Sequence, residues 1–165
     1  MGLCAAPESP PQGPEIYDPN ADGFAQIETA LQQARDGYKN VLLMFGANWC
    51  IWCHRLHQTF VSDAAVARVL RANFILVAID VNSRQGVKRN AAVNERYGNP
   101  IKLGLPVLVV LDATGRPLAT QETGAFEEGN HHSSDRLVAF LQRWAPPRWP
   151  IPDPADQPSE RRGDE

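Results

Sequence analysis

From Val41 to Ala47 the sequence is an unbroken apolar run of strand length, Val-Leu-Leu-Met-Phe-Gly-Ala, and it leads directly into Asn48-Trp49-Cys50-Ile51-Trp52-Cys53. A strand without polar alternation has to be covered on both faces, which calls for a sheet with helices on either side. The segment from Ile51 to about Phe60 switches to helical spacing, so the two cysteines sit where a buried strand turns into a helix. That juncture constrains the rest of the chain to an α/β arrangement.

The neighbouring segments agree. Phe24, Ile27, Leu31 and Ala34 recur at helical spacing behind Asp22, a capping residue, and Gly37 ends the run. A second helical stretch, Val66, Val69 and Leu70 behind Ser62 or Asp63, leads into a strand from Phe74 to Val81. The spacing predicts a third helix from about Val87 to Tyr97, stopped by Gly98. A strand from Pro106 to Leu111 is joined through Ala113-Thr114-Gly115-Arg116 to another near Leu118 to Glu122, a hairpin signal. Leu137, Phe140, Leu141 and Trp144 form the stripe of a closing helix capped by Ser133 or Ser134. The order predicts a mixed central sheet flanked by helices.

Eleven of the 14 prolines fall in the first nineteen or last twenty residues, which sets the domain limits. Residues 1–20 read as a disordered Pro-rich arm, 21–145 as one folded domain, and 146–165 as a Pro-rich tail, with Trp149 and Ile151 as candidates to fold back. The 165 residues suffice for one core. A net charge of -3, spread without a basic block, excludes a phosphate-tracking surface, so nucleic acid is not expected as a partner. No apolar run approaches the roughly 18 residues of a membrane span. The segment Met1 to Pro7 lacks the charged and apolar regions of an export signal, yet small residues ahead of a Pro-rich stretch match the end of one. A start truncated there implies an exported, periplasmic protein; otherwise the expected compartment is the cytoplasm. Cys4 reads as an exposed thiol on the arm.

Cys50 at a helix N-terminus meets free backbone N–H groups and the positive end of the helix dipole, which favour a thiolate over a thiol. Cys53, one turn on, is placed to resolve a mixed disulfide formed at Cys50. The residues thus point to a reversible dithiol/disulfide pair that needs no cofactor and no metal. His54, if protonated, adds positive charge beside the pair and is a candidate modulator; the alternative is a solvated helix residue. His131 and His132 read as solvated loop residues.

The run Val41 to Cys53, with its F-G-A-N-W-C core, resembles the active-site strand and motif of the thioredoxin superfamily. Gly104-Leu105-Pro106-Val107 resembles the family's cis-proline loop, and Gly124-Ala125 matches the glycine ahead of its final helix. Closer still are bacterial thioredoxin-like proteins described as disulfide isomerase-like, through F-G-A-N-W-C and the segment Gly98-Asn99-Pro100-Ile101-Lys102-Leu103-Gly104-Leu105-Pro106. The resemblance covers about residues 20–145. It implies a thioredoxin fold and thiol–disulfide exchange with protein thiols and disulfides, served by a redox partner protein, the chain acting as a monomer. It also implies that Pro106 faces the cysteines and that the Leu105 backbone pairs with an extended substrate peptide, with Trp49 and Trp52 offering an apolar surface. One position departs from the pattern: thioredoxin's buried aspartate, six residues before the first cysteine, is here Met44. Asn48 cannot take over its proton-accepting role, because an amide does not titrate near neutral pH.

Three rival readings use the same residues. Cys50-Ile51-Trp52-Cys53-His54 satisfies the C-x-x-C-H motif of c-type haem attachment, although that motif does not ordinarily follow a buried strand. Cys50, Cys53, His54 and His57 are permitted zinc ligands, but consecutive Cys53 and His54 diverge on a helix. A thioredoxin-fold adaptor that binds a partner with little turnover is favoured by Met44 and opposed by the intact cysteine pair.

Overall fold

The structure, a computed structural model, describes residues 15–147. Cys4, Trp149 and Ile151, singled out above, lie outside the described residues. Helix α1 (Gly23–Gly37) is followed by strand β1 (Asn40–Gly46), helices α2 (Ile51–Ser62) and α3 (Ala64–Asn73), and strand β2 (Phe74–Asp80). Helix α4 (Ala91–Arg96), strands β3 (Val107–Leu111) and β4 (Pro117–Glu122), a two-residue pair β5 (Glu127–Glu128) and β6 (His131–His132), and helix α5 (Ser134–Arg143) complete it. Among the described residues no helix is long and apolar enough to cross a membrane.

The main sheet has the order β2-β1-β3-β4, with β1 parallel to β2 and antiparallel to β3. Every residue of β1 is buried, as its unbroken apolar run requires. Its side chains alternate between two cores: Leu42 and Met44 pack with Leu56, Phe60, Leu108 and Leu141 on one face, while Val41, Leu43 and Phe45 pack with Ile27, Ala34 and Val109 on the other. The sheet is thus sandwiched between α2, α3 and α5 on one side and α1 on the other.

The caps explain the helix limits. Asp22 accepts from the N–H groups of Phe24 and Ala25, and Asp63 from those of Ala65 and Val66. Asp63 also accepts from the Ser134 hydroxyl at 2.6 Å, tying the start of α3 to the start of α5. That hydroxyl, followed by the Val66 N–H, holds the Asp63 carboxyl below its ordinary pKa.

Two expectations require correction. The helix expected from Val87 to Tyr97 is only Ala91–Arg96, preceded by a short 3-10 turn at Arg84–Gly86. Asn90 causes the break: it takes a left-handed conformation (φ 49°), its Oδ1 accepts from Gly23 N at 2.9 Å, and its Nδ2 donates to Asp80 O at 2.8 Å. One side chain thereby fixes the start of α1 against the end of β2, contacts that no local pattern reveals. The second correction is at the N-terminus. Ile16 and Tyr17, assigned above to a disordered arm, belong to the fold, and Tyr17 is fully buried against the core that holds the cysteines.

Asn48 secures that segment. Its Oδ1 accepts from Ile16 N (3.0 Å) and Tyr17 N (2.9 Å), and its Nδ2 donates to Tyr17 O (2.7 Å). With three partly buried hydrogen bonds lost together, Asn48→Ala is expected to cost about 2 kcal/mol. Urea unfolding checks this, and a midpoint equal to wild type would mean that residues 15–17 contribute nothing to stability.

Candidate active site

The transition from β1 to α2 builds the site. Cys50 is the N-cap of α2, with extended backbone (φ -84°, ψ 109°), and its Sγ accepts from Cys53 N at 3.2 Å. Cys50 and Cys53 form a disulfide with Cα atoms 5.2 Å apart. Both cysteines are buried, Cys50 at 6% exposure and Cys53 completely. The free N–H groups at the first turn of α2 favour negative charge at Cys50.

Gly46 is glycine for a steric reason. A β-carbon there would clash with the Tyr17 hydroxyl and would stand 2.6 Å from Cys53 Sγ. The glycine lets Tyr17 and Cys53 share the volume above the end of β1. Across the sheet Gly46 pairs with Asp80, itself only 3% exposed. Asp80 accepts from Asn82 N at 2.9 Å and meets Arg89 Nε at 3.4 Å. Burial raises its pKa, against the pull of these two partners. Met44, at the aspartate position of the resembled pattern, is fully buried among apolar side chains.

The β1–β3 register sets Val107 opposite Phe45, so Pro106 lies level with the end of β1. The Leu105–Pro106 peptide bond is cis, and Pro106 O accepts from the Thr123 hydroxyl at 2.8 Å. Leu105 is half-buried and packs against the core that includes Cys50.

Each tryptophan is held from two sides. The Trp49 Nε1 donates to Asn82 Oδ1 at 3.0 Å, and the Arg84 guanidinium lies 3.6 Å over its ring. Trp52 meets the edge of His132 at a centroid distance of 5.3 Å, with Arg55 4.5 Å over its ring. Both rings stay partly exposed, and Ile51 between them is 48% exposed. His54 Nε2 lies 2.6 Å from Asn48 O; a carbonyl only accepts, so this nitrogen carries the hydrogen. Nε2 is therefore not available to an axial haem iron in this arrangement. His57 has its pKa lowered, by burial first and by the charge of His54 second.

The sequence reading named Cys50, Cys53, Trp49, Trp52, His54, Leu105 and Pro106; the first five lie in the β1–α2 turn and the start of α2, and Leu105 packs against the core that includes Cys50. That reading missed Tyr17, Arg84 and Asp80, and it misjudged His132. Expected to be solvated, His132 is 1% exposed beneath Trp52 because the β5–β6 pair folds against α2.

Residues 22–113 match the family model described as thioredoxin-like. The chain belongs to the thioredoxin-like family. Among solved structures, the thioredoxin-like chain is 28% identical to a disulphide isomerase from Xylella fastidiosa Temecula1, with a TM-score of 0.65 over 78% of this chain and 95% of that one. The oxidised C-terminal domain of Neisseria meningitidis DsbD shares the fold, with a TM-score of 0.50 and 19% identity over 75% of this chain and 97% of that domain. Among curated relatives, the thiol:disulfide interchange protein DsbD of Vibrio vulnificus is 29% identical over 117 residues, 71% of this chain. The match spans 16% of that relative's length. Family and cysteine pair together mark a thiol–disulfide oxidoreductase in the general sense.

Proposed function

We propose that the chain exchanges disulfides with extended protein substrates. Cys50 attacks the substrate disulfide or carries the one to be donated, Cys53 resolves the mixed disulfide, and Leu105 with Pro106 holds the substrate chain. The observation that carries this reading is the placement of the pair: a closed disulfide at the start of α2, with Cys50 as the N-cap and Cys53 fully buried one turn on. Trp49, Ile51 and Trp52 supply an apolar rim for segments of unfolded chain. In the Cys53 step a new Cys50–Cys53 bond forms, the bond from Cys50 to substrate breaks, and its electron pair leaves on the substrate sulfur, which takes up a proton.

His54 acts as a modulator in this scheme. Its Nε2–H, committed to the Asn48 carbonyl, fixes the imidazole within one turn of both cysteines. Kinship with a disulphide isomerase and with thiol:disulfide interchange proteins supports a periplasmic setting, in which the chain acts as a monomer served by a separate redox protein. Isomerisation or reduction is the activity this setting asks for.

Equilibration with glutathione, followed by tryptophan fluorescence and combined with turnover of a protein disulfide, tests the proposal. A two-electron transition near roughly -270 mV assigns a reductase, and one between about -180 and -120 mV an isomerase or oxidase. Absence of a transition would overturn the reading. A transition without turnover, with a single protein captured by a Cys53→Ser chain, would replace it with the adaptor.

A further inference from the structure

Beside the disulfide lies a hydroxyl with nothing to bond. Tyr17 is fully buried, and its Oη has no hydrogen-bond partner among the described residues. The same oxygen and Cys53 Sγ both border the volume that a β-carbon on Gly46 would fill, so the two atoms are neighbours across a bare glycine. The hydroxyl cannot escape to solvent, because Asn48 grips the Tyr17 backbone at both its N–H and its carbonyl.

A buried polar group without a partner is costly, and folds keep one where another state of the molecule satisfies it. The state at issue here is the reduced one. In the disulfide, Cys53 sulfur is neutral and a poor acceptor. As a thiolate it carries a full charge and accepts strongly. Burial, and secondarily the charge of Asp80, drive the phenol's pKa upward, so Tyr17 keeps its proton and has a hydrogen to donate.

We propose that, when the disulfide opens, the Tyr17 hydroxyl donates a hydrogen bond to Cys53 Sγ and stabilises the resolving thiolate. This rests on the thiol–disulfide reading above and adds the group that tunes it. Tyr17 accepts no proton; the proton released by Cys53 goes to solvent or to the buffer, and the phenol lowers the cost of that release. The reaction whose balance it shifts is protein disulfide plus two glutathione thiols giving protein dithiol plus glutathione disulfide. Two electrons pass to the protein, and the phenol favours the dithiol side.

The test compares full-length wild type with Tyr17→Phe, which keeps the ring and removes only the hydroxyl. Tyr17→Phe is expected to shift the glutathione equilibrium about tenfold toward the disulfide, which corresponds to ~30 mV more negative. Its reduced form should lose thermal stability and its oxidised form should not, a split that a purely structural tyrosine would not produce. A shift under about threefold in a folded variant overturns the inference. Should the variant fail to fold, difference Raman spectra of the wild type decide. Of its three tyrosines, Tyr17 is expected to change from non-bonded to donor on reduction, and unchanged tyrosine bands overturn the proposal. A wild type with no redox transition removes both the functional reading and this one. A normal wild-type transition with an unmoved Tyr17→Phe removes only this one.

Discussion

A Cys50→Ser chain is expected to lose turnover of protein disulfides by on the order of 10^3-fold or more, because it removes the proposed nucleophile at the start of α2. Cys53 cannot stand in for it: its side chain has no solvent exposure, and it lies behind the first turn of α2. The companion Cys53→Ser chain is expected to behave differently. It retains the first attack but has no second thiolate, so it accumulates a mixed disulfide through Cys50. Intact-mass spectra after mixing with a disulfide substrate, with Cys4→Ser in both chains, distinguish the two: an adduct on Cys53→Ser and none on Cys50→Ser. Turnover by Cys50→Ser within about tenfold of wild type would move the nucleophile elsewhere. An adduct on both variants would mean that the asymmetry in burial does not govern access.

The placement of the pair was legible before any fold was known, because it follows from local geometry. A strand buried on both faces must run unbroken and apolar, and Val41 to Ala47 does. A helix that begins immediately afterwards takes Cys50 as its N-cap and carries Cys53 in its first turn. Capping side chains were legible for the same reason: Asp22 and Asp63 bond to N–H groups two and three residues along the chain. The break in the third helix was not, since Asn90 is held by Gly23 and Asp80, partners that only the assembled fold supplies.

The surroundings of Cys53 show the limit most sharply. Met44 revealed that an expected carboxylate was absent, but nothing near it indicated what occupies the vicinity of the sulfur. Tyr17 arrives from a Pro-rich flank whose composition argued for disorder, and the signal available was faint: an apolar Ile16-Tyr17 pair in a polar setting. Its anchor is Asn48, which the sequence reading weighed only as a proton acceptor. The amide's value lies instead in having both a donor and an acceptor, which lets it bond both edges of one backbone segment. Arg84 escaped notice for a related reason, since a loop arginine declares itself only when its guanidinium lies over Trp49.

His132 carries the second large prediction, an acid sensitivity set beside the active site. It is 1% exposed, and neither ring nitrogen has a hydrogen-bond partner among the described residues. Burial first, then the charges of Arg55 and His131, lower its pKa to about 4. The sign follows from linkage. Above pH 6.5 both native and unfolded chains hold the imidazole neutral and the stability is complete. As pH falls from about 6.5 to about 4, the unfolded chain binds a proton that the native chain refuses, so stability declines by up to about 3 kcal/mol. Asp63, whose pKa is held below 3.8, contributes its own loss only at lower pH. His132→Phe isolates the histidine: a ring of similar shape that takes no proton should flatten urea midpoints between pH 7 and pH 4, and should raise them at pH 7 by removing unpaired ring nitrogens. Because Trp52 rests on this ring one residue from Cys53, charging His132 should also disturb tryptophan fluorescence before global unfolding. Equal pH slopes for wild type and His132→Phe would show that the imidazole reaches water or a partner on protonation, and the acid sensitivity would then belong to the carboxylates.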